Sequence, residues 1–128
     1  MEIYNLKNID NFVEKGWGYE IWVANSPLYC GKILKIDCGK KFSWHHHSKD
    51  ETFFCLEGSG TLFHSKHDCM VLGKFRPEMA EQTYLTPGTA HYIKPGTRHQ
   101  FVAKETTYLT EVSTQHFDQD SIRIEKGD

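Results

Sequence analysis

Three consecutive histidines, His45-His46-His47, stand in the middle of the chain between apolar segments. In a β-strand alternate side chains share a face, so His45 and His47 point together while His46 points away. Glu51 follows four residues later, and two imidazoles with a carboxylate form a suitable donor set for one metal ion. The alternatives are a solvated polar strand face or a purification tag, but a tag would stand at a terminus. The pattern predicts a metal site.

A second element supplies a fourth candidate ligand, His99. The Pro95-Gly96 turn precedes it, and the apolar pair Phe101-Val102 follows it. A Pro-Gly turn fixes the end of a hairpin, and closure of a barrel would then bring His99 to the other three ligands. Such turns are common, so the Pro-Gly turn and His99 indicate a metal site only in combination with the histidine cluster.

The ligands must be positioned by strands, since helical periodicity is hard to find. Short runs rich in β-branched and aromatic residues alternate with Gly, Pro, Asn and Asp, which predicts an all-β antiparallel sandwich or jelly-roll barrel. The predicted strands are Tyr19–Val23, Lys32–Asp37, Phe42–His45, Thr52–Glu57, Gly60–Phe63, Cys69–Leu72, Gln82–Leu85, His91–Ile93, His99–Ala103, Thr106–Ser113 and Ile122–Glu125.

Two segments fall outside this strand rhythm. Residues 1–16 carry one apolar cluster at nearly helical spacing, which predicts either a short helix or an arm that crosses to a neighbouring subunit. Residues 73–81 are predicted to form a loop. A length of 128 residues suits one domain, so residues 17–128 are expected to form a single barrel.

Composition excludes several classes of function. The chain has 15 basic and 17 acidic residues and a net charge of -2, which is not the basic balance of a nucleic-acid-binding protein. No signal peptide is visible, and no stretch has the about 20 apolar residues of a membrane helix. The four cysteines form no CxxC pair. A disulfide pattern is possible, but without a signal peptide we expect reduced thiols in a cytoplasmic protein.

The segment from Gly39 to Gly58 reads G-x5-H-x-H-x3-E-x6-G, and it resembles the first motif of the cupin family at every defined position. The segment from Lys94 to His99 resembles the second motif. It departs at Lys94, where a proline is usual, and further on at Ala103, where an asparagine is usual. The resemblance implies a small jelly-roll barrel, commonly dimeric. It also implies that the metal ligands are His45, His47, Glu51 and His99.

A narrower resemblance extends from about Gly16 onward. Gly16-Trp17-Gly18-Tyr19-Glu20, Lys32 and Ser43 are similar to positions in the cupins of type II phosphomannose isomerase. The tail, with Thr110-Glu111-Val112-Ser113-Thr114, is loosely similar to the end of that domain, whereas His45 departs from its usual glutamine. This resemblance implies a mannose-6-phosphate isomerase-like enzyme that acts on a sugar or sugar phosphate, as a homodimer.

Four further residues are candidates for the reaction. Glu111 shares a strand face with the apolar Leu109, so it is either an interior base or, if the face is misassigned, a solvated carboxylate. Lys32 and Arg98 carry charge for a phosphate, although Arg98 also fits an ordinary surface arginine. His91 is a candidate for lining the pocket. We therefore predict Glu111 and Lys32 as catalytic residues and Arg98 and His91 as substrate-binding residues.

The donor set suits Mn, Fe, Co, Ni or Zn and does not distinguish between them. Three readings of its function stay open at this point. The first is a metal-dependent sugar or sugar-phosphate isomerase, and the second is an Fe(II) or Ni(II) dioxygenase of a small metabolite. The third is a non-catalytic cupin that binds a carbohydrate or another small molecule.

Overall fold

A computed structural model describes residues 11–128, which fold almost entirely into β-strands. The strands are β1 Phe12–Lys15, β2 Gly18–Asn25, β3 Cys30–Ile36, β4 Trp44–His46, β5 Glu51–Glu57, β6 Gly60–Ser65, β7 Met70–Val71, β8 Lys74–Phe75, β9 Glu81–Leu85, β10 Ala90–Ile93, β11 Arg98–Ala103, β12 Thr107–Ser113 and β13 Ile122–Glu125. Two single 3-10 turns, Pro77–Met79 and Asp118–Asp120, complete the regular structure. In residues 11–128, no helix is long and apolar enough to cross a membrane.

Two antiparallel sheets enclose the interior. The first has six strands in the order β1-β2-β3-β12-β5-β10, and the second has five in the order β13-β4-β11-β6-β9. Neighbouring strands often come from distant parts of the chain, as when β12 lies between β3 and β5. The all-β jelly-roll barrel predicted from the sequence is confirmed.

Strand register aligns one row of inward side chains across each sheet, because paired residues of neighbouring strands share a face. The row on the five-stranded sheet is Arg123, His45, His99, His64 and Glu81, of which Arg123 and Glu81 lie on the two edge strands and are exposed. The row on the six-stranded sheet is Trp22, Lys32, Glu111, Phe53 and His91. The rows face each other inside the barrel, where the Phe53 and His99 rings lie 5.8 Å apart. Most of the titratable side chains in the barrel, including His45, His99 and Glu111, therefore lie at one level along its axis.

The hydrophobic core fills the barrel beside this level. Large apolar side chains from both sheets are buried there with almost no exposure, among them Ile36, Leu62, Phe101 and Leu109. Burial of this kind stabilises a fold by about 1.5–3 kcal/mol per large side chain. The polar side chains thus pack against a tightly buried apolar core.

A second apolar cluster lies behind the histidine strand, on the outer face of the five-stranded sheet. Trp44 points away from His45, stacks on Phe75 with ring centroids 4.0 Å apart, and donates its Nε1–H to the carbonyl of Asp68 at 2.7 Å. The small hairpin of β7 and β8 carries Phe75 into this position. The prediction of a loop over residues 73–81 was therefore wrong, because Phe75 gains burial against Trp44 and orders the chain there.

All eleven predicted strands occur, with ends shifted by a few residues. Two strands were not predicted. One is β8, and the other is β1, which pairs with β2 over Phe12–Lys15 and extends the six-stranded sheet. Residues 12–15 are therefore neither helix nor free arm. The rest of the predicted arm or helix, residues 1–10, lies outside the described residues.

Candidate metal centre and adjoining cavity

Three histidines converge inside the barrel. His45 lies on β4, His47 directly follows that strand, and His99 lies on β11 opposite His45. One ring nitrogen of each lies within 4.8 Å of those of the other two. The ring centroids of His45 and His99 are 4.4 Å apart. The alternation of side chains along β4, together with the antiparallel pairing of β4 and β11, is sufficient to produce this arrangement.

Backbone carbonyls orient two of the rings. Nδ1 of His45 donates to the carbonyl of Ser43 at 2.8 Å, and Nδ1 of His99 donates to the carbonyl of Thr97 at 2.9 Å. A neutral imidazole with its proton on Nδ1 has a lone pair on Nε2. These carbonyls therefore fix the tautomer in which Nε2 faces the centre of the cluster, as is usual for metal-binding histidines.

Glu51 adjoins the histidines at the start of β5. Its Oε1 lies 2.8 Å from Nε2 of His99, and its Oε2 lies 3.2 Å from Nε2 of His47. Within residues 11–128, the buried side-chain atoms without a hydrogen bond of normal geometry are both oxygens of Glu51, Nε2 of His99 and Nδ1 of His47. Nε2 of His99 and Oε1 of Glu51 approach to hydrogen-bonding distance, and either a proton on Nε2 or a bound metal ion makes that approach favourable. These orphaned atoms fit a divalent metal ion.

The protonation states of His45 and Glu51 agree with that fit. Burial and the neighbouring His99 lower the pKa of His45 well below its ordinary value, so that imidazole is neutral. Burial alone would raise the pKa of Glu51, but His99 and His47 outweigh it and hold that pKa well below its ordinary value. Burial lowers the pKa of His99, but Glu51 and the Thr97 carbonyl outweigh it, so a proton can occupy the same place in metal-free protein. Neutral imidazole and anionic carboxylate are the forms that bind metals.

A cavity of about 230 Å³ opens beside the cluster and is lined by His45 and His47. Lys49 and Glu111 form a buried ion pair in its wall, with Nζ and Oε2 3.1 Å apart. Nζ of Lys49 also lies 3.7 Å from Oε2 of Glu51. Burial lowers the pKa of Lys49, but the carboxylates of Glu111 and Glu51 outweigh it, and the net pKa is raised. A charged acid–base pair thus lies next to the candidate ligands.

His116 closes the other side of this pair. Its Nδ1 lies 3.0 Å from Nζ of Lys49, and its Nε2 donates to Oδ1 of Asp118 at 2.9 Å. Asn25 holds the His116 backbone through its amide and carbonyl, at 2.9 and 3.1 Å. Burial and the ammonium groups of Lys32 and Lys49 lower the pKa of His116. His116 is therefore a neutral imidazole whose lone pair accepts from a lysine.

The structure brings some of the predicted site residues together and separates others. Glu111 and Lys32 line the cavity, at 7% and 5% exposure. Arg98 precedes His99 on β11 and so points to the opposite face, where its Nε binds Oδ1 of Asp68 at 2.8 Å. His91 lies on the far side of Phe53, in a different cavity with His64. For Arg98 and His91, a substrate-binding role stays a prediction from the sequence alone.

Three residues of this cavity were missed: Lys49, His116 and Arg123. Lys49 could have been found, because positions 45, 47, 49 and 51 alternate along the chain and all four side chains point inward. His116 follows the end of β12, where no periodicity indicates the direction of its side chain. Arg123 reaches the site through the pairing of β13 with β4, a long-range register that the local sequence does not encode.

The fold, the motif and the site geometry agree with a comparison against known families. The cupin-domain family matches residues 32–113, more than half of the chain. The chain belongs to the cupin family. No curated protein sequence matches it.

Solved structures of other cupin-fold proteins are similar to this chain. KdgF from Halomonas sp. is 20% identical with a TM-score of 0.62, over 79% of this chain and 81% of that one. Oxalate decarboxylase from Bacillus subtilis is 13% identical with a TM-score of 0.73, over 88% and 29%. The capsular polysaccharide assembling protein CapF from Staphylococcus aureus is 16% identical with a TM-score of 0.70, over 89% and 31%. The chain spans about a third of each of the latter two, and these likenesses show the shared fold.

Substitution of His47 provides a direct test of the metal centre. His47→Ala removes a ring from the cluster, whereas His46→Ala removes the neighbouring ring that points away. We expect His46→Ala to bind one Zn(II) per chain with unchanged affinity. We expect His47→Ala to bind Zn(II) more than about 100-fold more weakly, because the loss of a ligand should exceed the 10–100-fold cost of losing an outer-shell partner. Competition titration with a chromogenic chelator and elemental analysis measure both. Equal affinity of the two variants would contradict the assignment.

The His64–His91 pair predicts how stability depends on pH. Their rings lie 4.5 Å apart, and burial lowers the pKa of both below the ordinary value of 6.5. His64 lowers the pKa of His91 further, while Glu81 opposes both shifts. Below pH about 6.5 the unfolded chain binds more protons than the folded one, so stability falls as the pH falls.

The test is denaturant unfolding in chelator between pH 7 and pH 5. We expect the His64→Gln/His91→Gln double variant to lose less stability over this range than the unmodified protein, since the two histidines no longer take up protons on unfolding. The metal-binding histidines are present in both proteins and cancel in the comparison. Parallel pH profiles would show that the pair does not titrate as described.

Proposed function

We propose that this cupin is a metal-dependent isomerase of a sugar or sugar phosphate. The observation that carries the proposal is the buried Lys49–Glu111 pair, which lines the same cavity as the candidate metal ligands. An aldose–ketose isomerase needs a base to move a proton between neighbouring carbons, and it needs a polarised carbonyl. This cavity offers groups for both tasks within a single small volume.

The ligands in this proposal are His45, His47, Glu51 and His99. Their mixed imidazole–carboxylate set fits Mn, Fe, Co, Ni or Zn. The bound ion would polarise the substrate carbonyl and orient neighbouring hydroxyl groups.

Glu111 is the base in this account. Its carboxylate lies inside the barrel, and the Lys49 ammonium at 3.1 Å balances its charge. In the forward direction Glu111 takes the carbon-2 proton of the aldose, and the electron pair forms the carbon–carbon double bond of an enediol. Return of the proton to carbon 1, with transfer of a hydroxyl proton between the two oxygens, yields the ketose.

Lys49 and His116 transfer the hydroxyl proton between the two oxygens of the substrate. Lys49 is a cation in contact with Glu111, and the neutral His116 accepts a hydrogen bond from it. Asp118 holds the proton of His116 on Nε2, so that Nδ1 keeps its lone pair toward the cavity. Together these residues can donate and accept a proton without a net change of charge.

The carbohydrate part of the proposal is supported by the sequence resemblance to type II phosphomannose isomerase cupins. One similar structure, CapF, is a capsular polysaccharide assembling protein by name. A homodimer and a cytoplasmic location complete the proposal and rest on the sequence alone.

Proton exchange in heavy water tests the proposal. Mn(II)-loaded or Zn(II)-loaded protein is incubated with a panel of aldoses, ketoses and their phosphates, and proton NMR follows the carbon-2 proton signal. We expect loss of this signal and appearance of the isomeric sugar. Glu111→Gln should retain the metal and lose about 100-fold or more in turnover, because general base catalysis contributes that much.

Glu78→Gln is the matched control, since Glu78 is exposed on a 3-10 turn away from the cavity. It should retain full turnover. Retained turnover in Glu111→Gln would refute the base assignment. Silence across the panel with metal bound would refute the isomerase, and oxygen uptake or saturable binding without turnover would then identify a dioxygenase or a binding protein.

A further inference from the structure

The cavity contains more positive charge than the protein itself neutralises. Each carboxylate that lines it has a cationic partner within the described residues. These pairs are Glu20 with Lys15 at 4.0 Å, Glu111 with Lys49 at 3.1 Å, and Asp128 with Lys41 at 3.7 Å. Of the other cations that line it, Lys32, Arg123 and Lys126 form no ion pair with any residue of 11–128.

Lys32 is the most informative of these because it is buried. Its exposure is 5%, and its ammonium lies 4.0 Å from the centroid of the Trp22 ring and 3.4 Å from Nδ1 of His116. That lone pair is already shared with Lys49. A buried ammonium without a carboxylate is costly unless an anion from outside compensates it. No carboxylate of residues 11–128 thus forms an ion pair with Lys32, although Glu111 lies opposite it in the pairing of β3 with β12.

Arg123 stands on the opposite wall. It pairs in register with His45, so the two side chains share the inner face of the sheet. Its guanidinium is exposed and lines both the cavity and the groove that leads outward from it. A guanidinium presents two parallel N–H groups to one phosphate or carboxylate.

Lys32, His116 and Arg123 line both the inner cavity and the outer groove. Lys32 and Arg123 are therefore shared by the cavity that contains His45 and His47 and by the groove that adjoins it.

We propose that the ligand of this cavity is an anionic carbohydrate whose phosphate or carboxylate group is bound by Lys32 and Arg123. Its hydroxyl or carbonyl end then faces His45, His47 and Glu111. This inference deepens the proposed function by naming the charge of the substrate. It also transfers the anion-binding role from Arg98, which is paired with Asp68 on the other face, to Arg123.

Calorimetric titration of the metal-loaded protein at low salt tests the inference. The probes are inorganic phosphate, glucose 6-phosphate, glucuronate and neutral glucose. We expect glucose 6-phosphate or glucuronate to bind at least about tenfold more tightly than glucose, because hydrogen bonds to charged groups are the stronger ones. The tighter of the two anionic sugars identifies the group as a phosphate or a carboxylate.

Arg123→Gln should weaken the tighter anionic sugar by about tenfold or more and leave glucose binding unchanged. Arg76→Gln is the matched control, since Arg76 lines neither the cavity nor the groove, and it should bind like the unmodified protein. Lys32→Met, which keeps the contact with Trp22 but not the charge, should repeat the effect of Arg123→Gln. Circular dichroism and one metal per chain verify that each variant is folded.

Equal affinity for charged and neutral sugars, or no effect of Arg123→Gln, would overturn the anion site. This outcome is separable from failure of the isomerase. Selective anion binding without proton exchange supports the site and refutes the isomerase. Turnover of neutral sugars alone supports the isomerase and refutes the site.

Discussion

Nε2 of His99 and the carboxylate of Glu51 face each other across 2.8 Å in the barrel interior. The Thr97 carbonyl accepts a hydrogen bond from Nδ1 of His99, which directs Nε2 at the carboxylate. A proton on Nε2 in metal-free protein, or a metal ion that both atoms bind, makes this close approach favourable. The two residues are carried by β11 and β5, which belong to different sheets, and a cation there joins the sheets through their side chains. The Trp44–Phe75 cluster behind β4 supports the same site from outside.

Charges alternate outward from this centre. Glu51 is followed by Lys49 and then by Glu111, and neutral His116 separates Lys49 from Lys32. Each buried charge up to that point is compensated by the next, which is the condition for keeping ionised groups inside a protein. The series ends at Lys32 without an anion. The proposal of an anionic substrate rests on the unpaired charge of Lys32. The proposal of proton transfer rests on the paired residues Lys49 and Glu111.

Local pattern predicted much of this molecule, and long-range pairing supplied the rest. The alternation His45-x-His47 and the Pro95-Gly96 turn before His99 were sufficient to predict that the three histidines lie close together, because each pattern rests on a few neighbouring residues. The spacing of Glu111 from Leu109 favoured an interior position but left a solvated one open, and the structure buries the residue. Arg123 and His116 were missed, since the pairing of β13 with β4 and the path of the chain after β12 depend on tertiary contacts. Phe75 shows the same limit, because its burial depends on Trp44.

The most direct measurement of the central claim is the position of a bound metal. Crystals of Zn(II)-loaded protein, measured at the zinc absorption edge, would report it as an anomalous peak. We expect one peak per chain, about 2.0–2.2 Å from Nε2 of His45 and His99, from one ring nitrogen of His47 and from a Glu51 oxygen. A peak between His64 and His91 instead, or an occupied site without Glu51, would contradict it.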